Sequence, residues 1–491
     1  MRVLWPVHNL EKEYNQYPGV MVISALLREH GFESRVVPAS AEALNRTVAD
    51  GGPTILAWSA TTAYIRHYLE VNRAVKRDHP ETWSVFGGPH PTFFPEIIEK
   101  EGVDAVCVGE GEHPMLEMVQ ARSAGEPVQG LRNWWVRGAD GTVHKNPVRP
   151  LIEDLDRLPR PDHEIFRRAM PTELAQAIVI TSRGCPYRCT YCYNHLYRQI
   201  YRGKGKFIRR RSVDHVMEEL REIKDGGYTF IRFMDDLFIL HAEWTREFAA
   251  KYREQIGLPF SCLVRANYVT EETARLLADA GCHRMTMGLE AGNDRLRNEI
   301  LKRNMSRQQI IDAARLITGA GIRLVTANIL AIPGGSFETD WETLQLNLQC
   351  RPHFASVAVL QPYPRTDIYN FAAERGLVGD EDLAAMEGSF GFGLEAPLRY
   401  DDPREKRLQE NLHKLFPLTV LLPWLAPLTR RLVKLPSNRL FNLVYKLSVS
   451  FGIHFRAMPA STGLAILYRR SRLGRRFGRR RTREAAPAEA R

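Results

Sequence analysis

The sequence predicts an α/β chain with two successive parallel-sheet units, a doubly wound Rossmann-like unit and then a partial (β/α)6 barrel, followed by a mainly helical region. Two observations carry this. Short apolar runs alternate with helix-length segments over residues 1–125, and the alternation starts again over 173–375. After residue 375 it stops, and the chain becomes leucine-rich, proline-broken and basic.

In the first unit the strand candidates begin with Val3-Leu4-Trp5, Glu33–Val37 and Thr54–Trp58, and continue with Ser84-Val85-Phe86 and Ala105–Val108. A helix pattern over Val20–His30 is closed by Gly31. Strands separated by helices require crossovers and hence a parallel sheet, whose ligands gather at the carboxyl ends of the strands. Those ends carry Ser59-Ala60-Thr61-Thr62, Gly87-Gly88-Pro89-His90 and Gly109-Glu110-Gly111-Glu112. Glycine there lets the backbone approach a bulky ligand. Residues 126–172 read as a linker, with Leu155–Asp162 as its proline-rich end.

In the second unit six strands are predicted: Ala177–Thr181, Phe230–Met234, Phe260–Val264, Arg284–Gly288, Leu324–Ile329 and Ala355–Leu360. Ser212 and Ser306 read as N-caps of the helices that follow them. Six βα units suit a partial barrel with its chemistry at the carboxyl-terminal rim.

Cys185, Cys189 and Cys192 lie within eight residues, directly after the first barrel strand. Three thiolates on one loop suit a four-iron cluster with one iron left open for another ligand. A zinc site with His195 as fourth ligand, or a disulfide with a spare thiol, are the other readings. Cys107, Cys262, Cys282 and Cys350 sit in apolar segments and read as buried small hydrophobes.

Composition narrows the class. The 491 residues suit two or three domains, and 44% hydrophobic with 25% charged residues is ordinary for a globular protein. Seven cysteines are too few for a disulfide scaffold, so a reducing, cytoplasmic compartment is expected. The formal charge of +11 is concentrated in an arginine-rich segment, 468–491, read as a solvated tail, and no nucleic-acid-binding module is found. Leu415–Leu428 is apolar but interrupted by three prolines. With the flanking Arg430, Arg431 and Lys434 it reads as a helical cap over the barrel mouth or a peripheral membrane contact.

The cysteine spacing, with Tyr191 before the last cysteine, resembles the cluster motif of the radical S-adenosylmethionine (SAM) superfamily. The strand ends of residues 1–125 resemble the cobalamin-binding domain that precedes the barrel in one branch of it. The resemblance implies a [4Fe-4S] cluster on Cys185, Cys189 and Cys192, with SAM chelating the open iron. It also implies SAM contacts from Tyr191, Asp235, Arg265, Glu290 and Ile332, Asp235 being preferred over Asp236. Ser59, Thr62, Gly87, Gly88, His90, Gly109 and Glu110 would line the cobalamin site. The Asp-x-His-x-x-Gly motif that supplies a lower cobalt ligand in some relatives is absent, and His8 is a poor substitute. Gln361-Pro362-Tyr363-Pro364-Arg365-Thr366 resembles the family's closing turn, with Arg365 in place of glycine. The implied activity is methyl transfer from methylcobalamin to an unactivated carbon of a small molecule after hydrogen abstraction by a 5′-deoxyadenosyl radical. Cobalamin-dependent cyclisation, ring contraction or oxidation is the alternative, and an electron donor such as flavodoxin or ferredoxin is the implied partner.

Overall fold

The structure, a computed structural model, describes residues 1–10, 16–170, 175–379, 382 and 397–459. The arginine-rich segment 468–491 and the start of the barrel unit at residue 173 lie outside the described residues.

Strands β1 (Arg2–Val7), β2 (Glu33–Pro38), β3 (Thr54–Ser59), β4 (Trp83–Gly87) and β5 (Ala105–Cys107) form a parallel sheet in the order 2-1-3-4-5. The order reverses between β1 and β3, which opens a crevice at their carboxyl ends. Two further strands, β6 (Trp134–Arg137) and β7 (Val143–Lys145), add antiparallel to β5. They come from the stretch read as a linker. Strands of four and three residues are too short to show a period in the sequence, but Trp134 is buried and its indole donates to the Pro114 carbonyl at 3.0 Å.

The second unit begins with β8 (Gln176–Val179) and a small antiparallel ribbon, β9 (Ser182–Arg183) with β10 (Arg209–Arg210). Then come β11 (Phe230–Phe233), β12 (Phe260–Val264), β13 (Cys282–Glu290), β14 (Arg323–Leu330) and β15 (Phe354–Val359). The ribbon aside, the strands lie in sequence order, all parallel, from β8 to β15, as a partial barrel requires. The serine caps form as read: Ser212 Oγ accepts from His215 N at 3.2 Å, and Ser306 exchanges bonds with Gln309 in a capping box.

One continuous core joins the units. Ile165 and Phe166, on the helix Glu164–Ala169, pack with Trp5 and Met21 on one side and Ala177 and Ile231 on the other. Beneath this junction Glu219 is fully buried between Arg211 and His163. Burial opposes its ionisation, but the Arg211 guanidinium and the His163 hydrogen bond outweigh that and hold its carboxyl down at about 2.

The C-terminal helices do not cap the mouth. Helix Pro403–Leu421 lies along β15, burying Leu412 and Phe416 against Ala355 and Val357, with His413 Nε2 3.2 Å from the Val357 carbonyl. An open edge strand has to be covered, and this helix covers it. Helix Arg439–Phe451 packs on Pro403–Leu421, and its last turn and the turn after it reach the amino ends of β13–β15. There Arg284 and Arg323 donate to the carbonyls of Ala457 and Phe455 at 3.2 and 3.0 Å.

A depressed carboxylate contributes stability above its unfolded value, near 4.5, and loses it as pH falls toward 2. Denaturant titrations from pH 5 to pH 2 are expected to show a loss from this site of order 3 kcal/mol. Glu219→Gln is expected to flatten that limb.

Candidate active site

The cysteine loop leaves the barrel rim through the β9–β10 ribbon. Gly184 adopts φ +87°, and a Cβ there would overlap the Phe207 carbonyl, so glycine lets the chain cross. Beyond it Cys189 is buried, and Cys185 and Cys192 are half-buried. Cys192 N donates to the Cys189 carbonyl at 3.1 Å, and Arg198 donates to the Cys185 carbonyl at 2.9 Å. His195 does not join the sulfurs: Nδ1 lies 2.5 Å from the Cys192 carbonyl and Nε2 faces Asp367 at 3.3 Å. Among the described residues, no three His, Cys, Asp or Glu side chains close round a point suited to a single metal ion. Ligands of a multi-iron cluster sit on separate irons. Burial raises the Cys185 thiol and pushes Cys192 up to about 11, so metal loading there must displace protons.

Arginines flank the loop. Arg303 Nη1 lies 3.6 Å from Cys189 Sγ, and its Nη2 donates to the Gly288 carbonyl at 2.8 Å and faces Glu290 at 3.7 Å. Glu290 adopts φ +65°; burial raises its carboxyl, against the pull of Arg303 and a hydrogen bond from Tyr191. Arg265 stacks on the Tyr187 ring at 3.5 Å and donates Nε to Asn267, leaving a buried Nη2 without a partner among the described residues. Tyr191, Arg265, Glu290 and Cys189 are thus brought together. Ile332 is buried in a small core with Leu296 and Leu360 that Tyr191 borders; it does not line the cavity described next.

The two aspartates after β11 are placed differently from each other. Asp235 is buried and accepts from Thr181 N at 3.1 Å, Thr181 Oγ at 2.7 Å and Ser182 Oγ. It anchors the turn out of β8. Successive side chains diverge, so Asp236 faces the open space, where burial raises its carboxyl against a hydrogen bond from Asn194.

That space is a cavity of about 540 Å³ between the two units. Ser59, Gly87, Gly88, Gly109 and Glu110 line it from the first sheet, and Cys192, Asn194, Met234 and Asp236 from the barrel. A Cβ on Gly87 would meet only Cys107, at 3.6 Å, so the missing side chain leaves cavity room. Gly109 differs: a Cβ there would overlap the Tyr201 hydroxyl, which donates no bond to it but accepts from Glu110 N at 2.8 Å. Thr62 and His90 do not line the cavity. They bond to each other at 3.1 Å behind it, and burial lowers His90 to about 4.

Glu110, besides lining the cavity, sits in an ion cluster. Its carboxylate meets Arg183 at 2.8 Å and Arg209 at 2.9 Å and accepts from Ile152 N, while Arg183 also pairs with Glu112. Arg183 is two residues before Cys185, so this cluster ties the first sheet to the cysteine loop. Arg365, at φ +69°, makes a second tie: it donates to the Phe93 carbonyl, pairs with Glu96 at 2.9 Å and covers the Phe94 ring at 4.7 Å.

Residues 14–119 match the B12 binding domain, and residues 179–346 match the Radical SAM superfamily. The chain belongs to the radical SAM superfamily, in the branch that carries a B12 binding domain. An uncharacterized methyltransferase of Pyrococcus horikoshii is 27% identical, over 73% of this chain and 79% of its own length. An anaerobic magnesium-protoporphyrin IX monomethyl ester cyclase of Rubrivivax gelatinosus is 26% identical, over 67% and 60%. The cobalamin-dependent SAM radical enzyme OxsB, solved with aqua-cobalamin, shares the fold at a TM-score of 0.67 and 16% identity, over 95% of this chain and 72% of that one.

The radical SAM domain calls for a [4Fe-4S] cluster and SAM, and the B12 binding domain for cobalamin. The residues present fit them: three cysteine sulfurs on one loop, an unpartnered buried Nη2 on Arg265 beside it, and a glycine-floored cavity reaching the same loop. Arg183, Arg209 and Asn194 line the cavity and Arg303 stands beside Cys189, none of them read from sequence as a site residue, and Asp236 faces the cavity where Asp235 does not. Only the Asp-Asp pair carried a signal, since the arginines act across long separations.

Removing Glu110 strands Arg209, which is buried, and weakens Arg183. Glu110→Leu is expected to cost about 3–5 kcal/mol in denaturant unfolding. The more exposed Arg365→Gly should cost about 1 kcal/mol or less.

Proposed function

We propose that the chain is a C-methyltransferase that modifies an unactivated carbon of a small molecule held between cobalamin and the cluster. The observation that carries this is the single cavity bordered by Ser59, Gly87 and Gly88 on the cobalamin-domain side and by Cys192, Asn194 and Asp236 on the barrel side. When bound, the cluster supplies the electron that cleaves SAM to a carbon radical, and cobalamin carries the methyl group.

The chain's residues position and seclude. Cys185, Cys189 and Cys192 would hold the cluster. Asp236, with Asn194 beside it, offers an acceptor for the ammonium of SAM, and Arg265 offers its free Nη2 to a carboxylate. Tyr191, Glu290 and Arg303 form a buried hydrogen-bonded wall next to Cys189. Apolar Val20, Ile23, Val85 and Met115 line the cavity and exclude water from a reactive radical. A one-electron donor, flavodoxin or ferredoxin, would act on the cluster in the cytoplasm. A second reading, cyclisation without methyl transfer, is favoured by the likeness to the magnesium-protoporphyrin ester cyclase.

Turnover with methyl-labelled SAM and candidate small molecules is expected to give labelled product with one deoxyadenosine for each methyl transferred. Unlabelled, ring-closed product would support the second reading and defeat the first. Asp236→Ala is expected to weaken SAM binding about tenfold, roughly 1.4 kcal/mol, with iron content unchanged. Asp235→Ala should instead lower the thermal midpoint.

A further inference from the structure

The helix Arg439–Phe451 is apolar on two faces. One face, with Phe441, packs into the core beside β15, and Tyr445 and Val444 border it. The other carries Leu440, Leu443, Leu447 and Phe451, exposed by 63, 52, 61 and 47%. Spacings of three and four residues put these four within one stripe along the helix. Phe455 extends the stripe, its ring stacked on Phe451 at 5.5 Å, and Trp424, Leu428 and Leu435 are further exposed apolar residues of the same C-terminal segment. A run of large exposed hydrophobics on one element marks an interaction surface.

Charge identifies the occupant. Residues 422–459 hold six basic residues and no acidic one. Arg431, Lys434, Arg439, Lys446 and Arg456 are all exposed and form no ion pair among the described residues, whereas Arg430 is paired with Glu338. A second copy of the chain placed on this stripe would bring the same cations together. Residues 469–483 add nine arginines, so that segment would be repelled too. An anionic lipid interface satisfies both features, taking leucine and phenylalanine into the acyl boundary while the cations meet headgroups. No helix among the described residues is long and apolar enough to cross a membrane.

We propose that the Leu440–Phe455 face docks the protein on the surface of an anionic bilayer. The stripe runs along the helix packed on Pro403–Leu421 and ends in the turn that meets the amino ends of β13 and β14, and none of its residues lines the cavity. Docking therefore sets the enzyme's location without covering the residues that line the site. Leu443 and Leu447 can be changed without touching the cavity.

The test is co-sedimentation of the full chain with vesicles. Binding is expected to phosphatidylglycerol-containing vesicles at 0.1 M salt, at least tenfold weaker to phosphatidylcholine alone, and reduced at 0.5 M salt, where charges are screened. Leu443→Glu/Leu447→Glu is expected to reduce binding at least tenfold with helix content and iron loading unchanged. Equal binding to neutral vesicles, no binding to either, or full binding by the double variant would overturn the proposal. So would concentration-dependent dimerisation that the double variant abolishes.

Discussion

The architecture depends on a carboxylate shared by two arginines. Glu110 stands at the carboxyl end of β5, while Arg183 and Arg209 stand on the ribbon that carries the cysteine loop away from the barrel. Burying three charges is costly, and an apolar contact of similar size would stabilise as well or better. What the ion cluster adds is register: planar guanidinium groups accept a carboxylate in few orientations, so the cysteine loop meets the first sheet in one arrangement. Arg365 and the stacked Phe93 and Tyr193 rings, 4.4 Å apart, repeat the tie on the other side of the loop.

With that register set, two rules about parallel sheets meet in one place. A doubly wound sheet presents its ligands where the strand order reverses, and a barrel presents its chemistry at the carboxyl-terminal rim. Here both rims face the same cavity. Reaction between groups carried by separate domains depends on holding them in near-attack geometry. The domain contacts are therefore part of the site rather than scaffolding around it, and Gly109 shows it: its missing Cβ makes room for Tyr201 from the other unit.

Much of this could be read from the sequence. Phe260–Val264 forms as read, and the other five predicted barrel strands overlap β8, β11, β13, β14 and β15, because buried parallel strands are short, uniformly apolar and spaced by amphipathic helices. The cysteine triad was legible because its chemistry is local. What was illegible is pairwise and distant. Glu110 reads as a ligand contact at a strand end, and its pairing with Arg183 and Arg209, more than 70 residues away, carries no signal in the sequence. Asp235 and Asp236 are chemically identical, and only the twist leaving β11 decides which one anchors Thr181 and which faces the cavity. Arg365 stood out as a departure at a glycine position, but its partners lie some 270 residues earlier. The C-terminal helices gave their composition without their place, since an apolar segment covers an edge strand as readily as a barrel mouth.

The central claim is that one chain holds both cofactors across one cavity. Anaerobic reconstitution with iron, sulfide and hydroxocobalamin, followed by metal analysis of the desalted protein, tests it directly. About four irons, as one cubane cluster requires, together with about one cobalt per chain is the predicted result. A full complement of iron with no retained cobalt would contradict it and leave a radical SAM domain working beside an empty fold.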